Sequence, residues 1–372
     1  VRKILCILLA VVFVVTFVAS GKSVSKPNPV AVGGTGVLLV TEKPVKSSVP
    51  SEVLTSLNQL PKNAADIVGL LIDSEILGKA APEAVQNLKT QFGNGKAIVA
   101  YGDSVDAKKV ARYIGIELTQ ETKLGHGTKR VAAGVMKLAD GRTHTIEVVT
   151  DKKHNMSAEE IQASIANMIA QSESDLRNVD LEQGMSIQSA GWIIFDSTIR
   201  SYTASSNFGT YTTTAAAYYL NASYDADPSK DYLQIRTQHT SQAGAYNFAK
   251  ANTANEPGNG QTVVEYGPMG NFTSGGAVSF SLGYPPAVGF SFSLGSSSTQ
   301  LTNQSQPSYP RIRHEVKYGA GSPEAKGSLA WLQPINTSTP QGQKTVFYWF
   351  TNNLTISRSA FFDNWYWVVT RP

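Results

Sequence analysis

One set of residues in this 372-residue chain has the types needed for nucleophilic chemistry. Ser104 follows Gly102 and Asp103 directly after the apolar run Ala97 to Tyr101, and Asp151 stands three residues before His154. A serine hydroxyl attacks a carbonyl only when a base takes its proton and a third group orients that base, so Ser104, His154 and Asp151 are the minimum set for acyl transfer. The same residues have a plainer use: Asp103 and Ser104 forming a turn that caps the next helix, and His154 on the surface ahead of Ser157. Asp225, Asp227 and Asp231 form a second set. Alternating carboxylates in a tight loop can gather oxygen ligands for Ca²⁺, but the full Asp-x-Asp-x-Asp-Gly pattern is missing and Lys230 brings a competing charge. An Asp/Pro turn is the expected outcome. No pair among His126, His144, His154, His239 and His314 has metal-ligand spacing. The glycines at 33 to 36 precede a strand, where a phosphate loop needs them after one. No metal and no cofactor are expected.

The Gly102-Asp103-Ser104 block resembles the first block of the SGNH (GDSL-type) hydrolases, and Asp151-Lys152-Lys153-His154 resembles their last. The resemblance implies a secreted esterase with Ser104 as nucleophile. The blocks that supply oxyanion donors in that family are missing, about 47 residues separate the two that are present, and the serine follows a third strand instead of a first.

The aromatic peak of the chain is Phe361 to Trp367. On a strand, Phe361, Asp363, Trp365 and Trp367 share one face, and Phe362, Asn364 and Tyr366 share the other. With both faces aromatic, one can be core and the other a platform for sugar rings or a lipid interface. Trp365, Trp367 and Tyr366 are the binding residues this suggests.

These residues need elements to position them. In the first half, Val37 to Val40, Ile67 to Ile72 and Ala97 to Tyr101 read as buried parallel strands, apolar on both faces. Helical spacing appears over Ser51 to Leu60, Pro82 to Phe92 and Asp106 to Ile114, which predicts βαβ units. Two apolar runs flank Asp140-Gly141, a hairpin signal. Ser157 and Glu160 then form a capping box ahead of a helix with Ile161, Ile165, Met168 and Ile169 on its buried stripe. Near Glu182 the composition changes. All five Trp lie beyond it, and short alternating runs separated by Gly, Asn, Ser and Pro predict an antiparallel β-sandwich.

Arg2 and Lys3, an apolar run from Ile4 to Ala19, and Val18-Ala19-Ser20 make residues 1–20 a secretory signal. The single cysteine, Cys6, lies inside it. The mature chain would therefore have no disulfide, thiolate metal site or cysteine nucleophile. A formal net charge of +4, dispersed along the chain, does not argue for nucleic acid.

The clearest pattern is Ala277 to Leu294. Val278, Phe280 and Leu282 alternate with Ser279, Ser281 and Gly283, and after Pro285-Pro286 so do Val288, Phe290 and Phe292 with Gly289, Ser291 and Ser293. A period of two with one apolar face predicts a β-hairpin. It fits the inner hairpin of a sandwich, and also a hairpin that enters a bilayer, where strands of about 9–11 residues alternate apolar with small or polar side chains. In this pattern the C-terminal half resembles the leukocidin/haemolysin-type pore-forming proteins, secreted sandwiches with a glycine- and serine-rich stem hairpin. That resemblance implies membrane contact through Val278, Phe280, Leu282, Val288, Phe290 and Phe292.

The expected organisation is a signal (1–20), a flexible leader (21–36), an α/β parallel-sheet domain of Rossmann or flavodoxin type (37–176), a linker (177–190) and an antiparallel β-sandwich (191–372). The expected function is an exported, non-enzymatic protein that presents aromatic and hydroxyl-rich surface to a glycan, envelope polymer or protein. The alternatives are a membrane-active, pore-forming-like protein and an esterase.

Overall fold

Runs that are apolar on both sides become strands covered on both sides. In the computed structural model β1 (Val37–Val40) pairs in parallel with β2 (Val53–Leu54) and β3 (Gly69–Asp73), and β3 pairs in parallel with β4 (Ala97–Tyr101). Residues 36–42, 53–60, 67–180, 191–205, 207–225, 227–258, 260–283, 287–357 and 359–371 are described. The expected signal, the leader as far as residue 35, residues 181–190 of the expected linker and the Pro285-Pro286 turn lie outside them. Between β3 and β4 run α1 (Ser74–Gly78) and α2 (Pro82–Gly93), the latter opening on Pro82 and burying Leu88 and Phe92. Pro suits that first turn because its missing N–H would have no helical partner there. α3 (Ala107–Tyr113) is capped by the Asp106 carboxylate, which accepts from the Lys108 and Lys109 amides. The helix expected over Ser51 to Leu60 is not formed. Val53 and Leu54 join the sheet instead, and only a 3₁₀ turn, Leu57–Gln59, follows the Ser56 cap. Thr55 and Ser56 hydrogen-bond local groups, the competition that makes such residues poor helix formers.

After β5 (Glu121–Leu124), strands β6 (Thr128–Lys137) and β7 (Thr143–Asp151) form the hairpin around Asp140-Gly141. α4 (Ala158–Asp180) begins with the capping box, the Ser157 amide donating to Glu160 at 2.7 Å and the Glu160 amide to Ser157 Oγ at 3.2 Å. This helix is a crossover, because the next strand, β8 (Trp192–Thr203), lies parallel to β7 in the same sheet. The sheet then continues antiparallel through β9 (Gly209–Leu220) and β10 (Lys230–Ala243).

The rest of the chain is β11 (Phe248–Pro257), β12 (Thr262–Tyr266), β13 (Ala277–Leu282), β14 (Val288–Ser293), β15 (Gln300–Asn303) and β16 (Ile312–Lys317), then the single turn α5 (Pro323–Lys326), β17 (Ser328–Leu332), β18 (Ile335–Pro340), β19 (Thr345–Ile356) and β20 (Ser359–Thr370). Twelve strands form one mixed sheet in the order β2-β1-β3-β4-β6-β7-β8-β9-β10-β18-β12, with β17 also on β10. Six form a second, β15-β16-β11-β19-β20-β5. The expected fold class, a distinct Rossmann-like domain followed by a separate sandwich, is therefore corrected. The parallel β7–β8 pair carries one sheet through both halves, and β5 from the first half closes the second sheet against β20. Periodicity marks strands but not their partners, so this join left no trace in the sequence pattern.

The large sheet is covered on both faces. One face carries α4 and the β13–β14 hairpin, which share a core with Tyr218 and Leu332. The other carries α2 and α3 over its first half and the six-stranded sheet over its second.

Candidate functional site

β13 and β14 form a sheet of their own, in register from Ala277 opposite Ser293 to Leu282 opposite Val288, and among the described residues no strand pairing joins them to either large sheet. The hairpin is thus not the inner hairpin of the sandwich; it lies on the far side of the large sheet. Its two faces differ as a strand with period two requires. Val278, Leu282, Val288 and Phe290 are buried, with Phe280 and Phe292 half-buried. Ser279, Ser281, Gly283, Gly289, Ser291 and Ser293 face solvent. Phe280 stacks on Phe290 with centroids 5.4 Å apart, and its ring fills the space above Gly267 that a side chain there would occupy.

The sheet face that carries the hairpin and α4 is polar for a protein interior. Register puts Thr212, Thr214, Ala216 and Tyr218 of β9 on the same face as Gln234, Arg236, Gln238 and Thr240 of β10, and all eight are buried. The Arg236 guanidinium lies between two rings, 4.1 Å from the centroid of Tyr218 and 5.5 Å from that of Phe290. Cation–π attraction at such distances strengthens when desolvated, so Arg236 ties the hairpin to the sheet.

The hairpin's base is hinged and tied. Gly275, Gly276 and Gly295 have φ of +57°, +89° and +73°, a region other residues enter at a cost. Beside this joint the Glu324 carboxylate accepts from the Ser296 amide (2.9 Å), Ser296 Oγ (2.7 Å) and Thr299 Oγ1 (3.2 Å). Burial alone would raise this carboxyl, but the hydrogen bonds led by Ser296 hold it below the usual carboxylate range. Arg236 and Glu324 were not singled out by sequence. Glu324, behind Ser322 and Pro323, had at most a helix-start signal.

The remaining sequence candidates lie elsewhere. Ser104, at φ +58°, is exposed in the turn after β4, and its carbonyl accepts from Lys109 Nζ. Asp151 accepts from the Tyr202 hydroxyl at 2.7 Å, and no described hydrogen bond joins Ser104, Asp151 and His154 through their side chains. Asp225 and Asp227 cap turns of their own loop, whereas Asp231 pairs with Arg371 and accepts from the Gly342 amide. No metal-binding group of three His, Cys, Asp or Glu occurs among the described residues. Trp365 and Trp367 are fully buried between the sheets, Trp365 stacked on Phe350 at 4.2 Å and Trp367 donating to Gln120 at 2.7 Å. Tyr366 is on the outer face, stacked at 5.0 Å on the exposed Trp349. The accessible aromatic face is thus Trp349 with Tyr366.

No protein-family model and no curated protein matches this sequence. Solved structures do align with it. One described as a pore forming protein covers 48% of this chain and 92% of its own at 7% identity, with a TM-score of 0.36. Clostridium perfringens delta-toxin covers 46% and 85% at 9% identity, TM-score 0.34. The Clostridium perfringens NetB toxin in its membrane inserted form covers 48% and 96% at 8% identity, TM-score 0.26. No helix among the described residues is long and apolar enough to cross a membrane, which leaves strands unaddressed.

Proposed function

We propose that this is an exported, membrane-active protein of pore-forming type, in which the 277–294 hairpin leaves the body and enters the bilayer. The observation that carries this reading is a hairpin that is a sheet of its own, hinged on glycines and laid by its apolar face against the buried guanidinium of Arg236. Departure breaks no inter-strand ladder. It uncovers the Arg236 guanidinium, which water can solvate, along with the apolar Tyr218 and Leu332. The hairpin's own apolar face would gain lipid in place of protein, which is what a bilayer rewards in an alternating strand.

Length supports the reading too. Phe272 already bridges Leu301 below the hinge. Straightening the glycine joint would extend the first strand back to Phe272, eleven residues to Leu282, against the roughly 9–11 a spanning strand needs. No Asp, Glu, Lys, Arg or His lies between Glu265 and Arg311, so no charge would have to enter the hydrocarbon.

Dye release from liposomes tests this. The chain without residues 1–20 should cause leakage, and Phe280→Asp with Phe290→Asp should not, provided near-ultraviolet dichroism shows the variant folded. A cysteine pair placed across the β14–β17 contact should block leakage when oxidised and restore it when reduced. Leakage that survives the oxidised lock would sink the proposal. A second reading, binding to a glycan, envelope polymer or protein, draws on the exposed Trp349–Tyr366 pair. It predicts retention on a polysaccharide matrix that Trp349→Ala abolishes.

A further inference from the structure

The core of the sandwich is divided by a polar row. On the large sheet, register sets Arg200 opposite Thr213, Thr213 opposite His239 and His239 opposite Trp331. On the six-stranded sheet it sets His314 opposite Thr253, Thr253 opposite Asn352 and Asn352 opposite Asp363. An apolar cluster lies on each side of this row. One contains Phe208, Phe248 and Leu354; the other contains Ile235, Phe350 and Trp367.

Both ends of the row are closed by protein contacts. At one, Arg200 reaches across the sheets to Asp363 at 2.6 Å and pairs with Glu147 at 3.1 Å. At the other, Gln333 Nε2 lies 2.8 Å from His314 Nδ1. In the row, the amide nitrogen and oxygen of Asn352, the Thr253 hydroxyl and the Trp331 indole N–H have no protein partner, and neither do the Asn255 amide and the Tyr211 hydroxyl, each two residues along its strand from a member of the row. Each belongs to a side chain no more than 1% exposed. Buried polar groups are almost always hydrogen-bonded, and facing sheets stand about 10 Å apart, too far for a threonine and the groups opposite it to meet directly.

We propose that this row is an internal hydration site, in which ordered water links Asn352, Asn255 and Thr253 of one sheet to Tyr211 and Trp331 of the other. The mixture of donors and acceptors selects the ligand. A cation would be met by amide and indole N–H groups, and an anion by carbonyl oxygens. Arg200 is already neutralised by two carboxylates, so the row has no spare charge for an ion. Water serves donor and acceptor alike, and buried waters of this kind typically make about three hydrogen bonds each.

Water-oxygen magnetic relaxation dispersion on the whole chain counts waters held longer than a microsecond. Thr253→Val, nearly the same shape, and Asn352→Leu should each lose long-lived water relative to the unaltered chain. Identical dispersion in the unaltered chain and in Thr253→Val overturns the proposal, even if Asn352→Leu fails to fold. High-resolution neutron density would show bridging water between the named atoms. Density for a metal ion, or asparagine amides paired directly with each other, would also overturn it.

Discussion

Three histidines are held neutral in the interior. Burial pushes His144 and His239 down to about 3 and His314 down to about 4, while burial pushes Asp196 up to about 7. Near pH 5 the unfolded chain therefore binds about three protons at these histidines that the folded chain refuses, and the folded chain holds one at Asp196 that the unfolded chain has released. The difference is two protons in favour of the unfolded state, so stability falls as pH drops, by roughly 2.7 kcal/mol per pH unit. Urea denaturation at half-unit steps from pH 7 to pH 4 should show this slope. His314→Gln, which leaves a net difference of one proton instead of two, should make it shallower by about half. Arg200 belongs to the same interior. Arg200→Met strands the buried carboxylate of Asp363 and removes one of the cations beside Glu147, and should destabilise by about 3–5 kcal/mol, read in the same titration.

At the scale of elements, the hairpin's two faces should respond differently to the same experiment. Phe290→Ala removes a ring seated on Arg236 and should cost roughly 3 kcal/mol, whereas its exposed neighbour Ser291→Ala should stay within about 0.5 kcal/mol. Thermal melts of the pair decide it. The alternation that predicts this contrast was fully visible in Ala277 to Leu294, as were the Asp140-Gly141 hairpin, the Ser157–Glu160 capping box and the Pro82 helix, because each is a local pattern. What the hairpin rests on was not visible. Thr212, Thr214, Gln234 and Gln238 are the residues a strand shows to water, and nothing short of the tertiary structure says that α4 and the hairpin cover this face. Parity failed in a similar way at Phe361 to Trp367. Aromatic residues on both faces cannot say which face is inside, and the sandwich took Trp365 and Trp367.

For the whole molecule, the parallel β7–β8 pair and the β5–β20 pair make the first and second halves structurally dependent. Fluorescence of the tryptophans, all in the second half, and far-ultraviolet dichroism, which also reports α2 and α4, should follow one coincident unfolding transition. Two separated transitions would mean that the continuous sheet does not couple the halves. The same topology bears on solubility at high concentration. The large sheet ends on the two-residue β2 and the bulged five-residue β12, and the small one ends on the four-residue strands β15 and β5. Such short borders offer little template for end-on stacking of molecules. The hairpin's six-residue strands add open borders, as do residues 359–364 of β20 beyond the reach of β5 and residues 192–197 of β8 beyond the reach of β7. Edge-on growth of an ordered polymer, into a fibre or into a ring, would therefore have to start from one of these few six-residue segments.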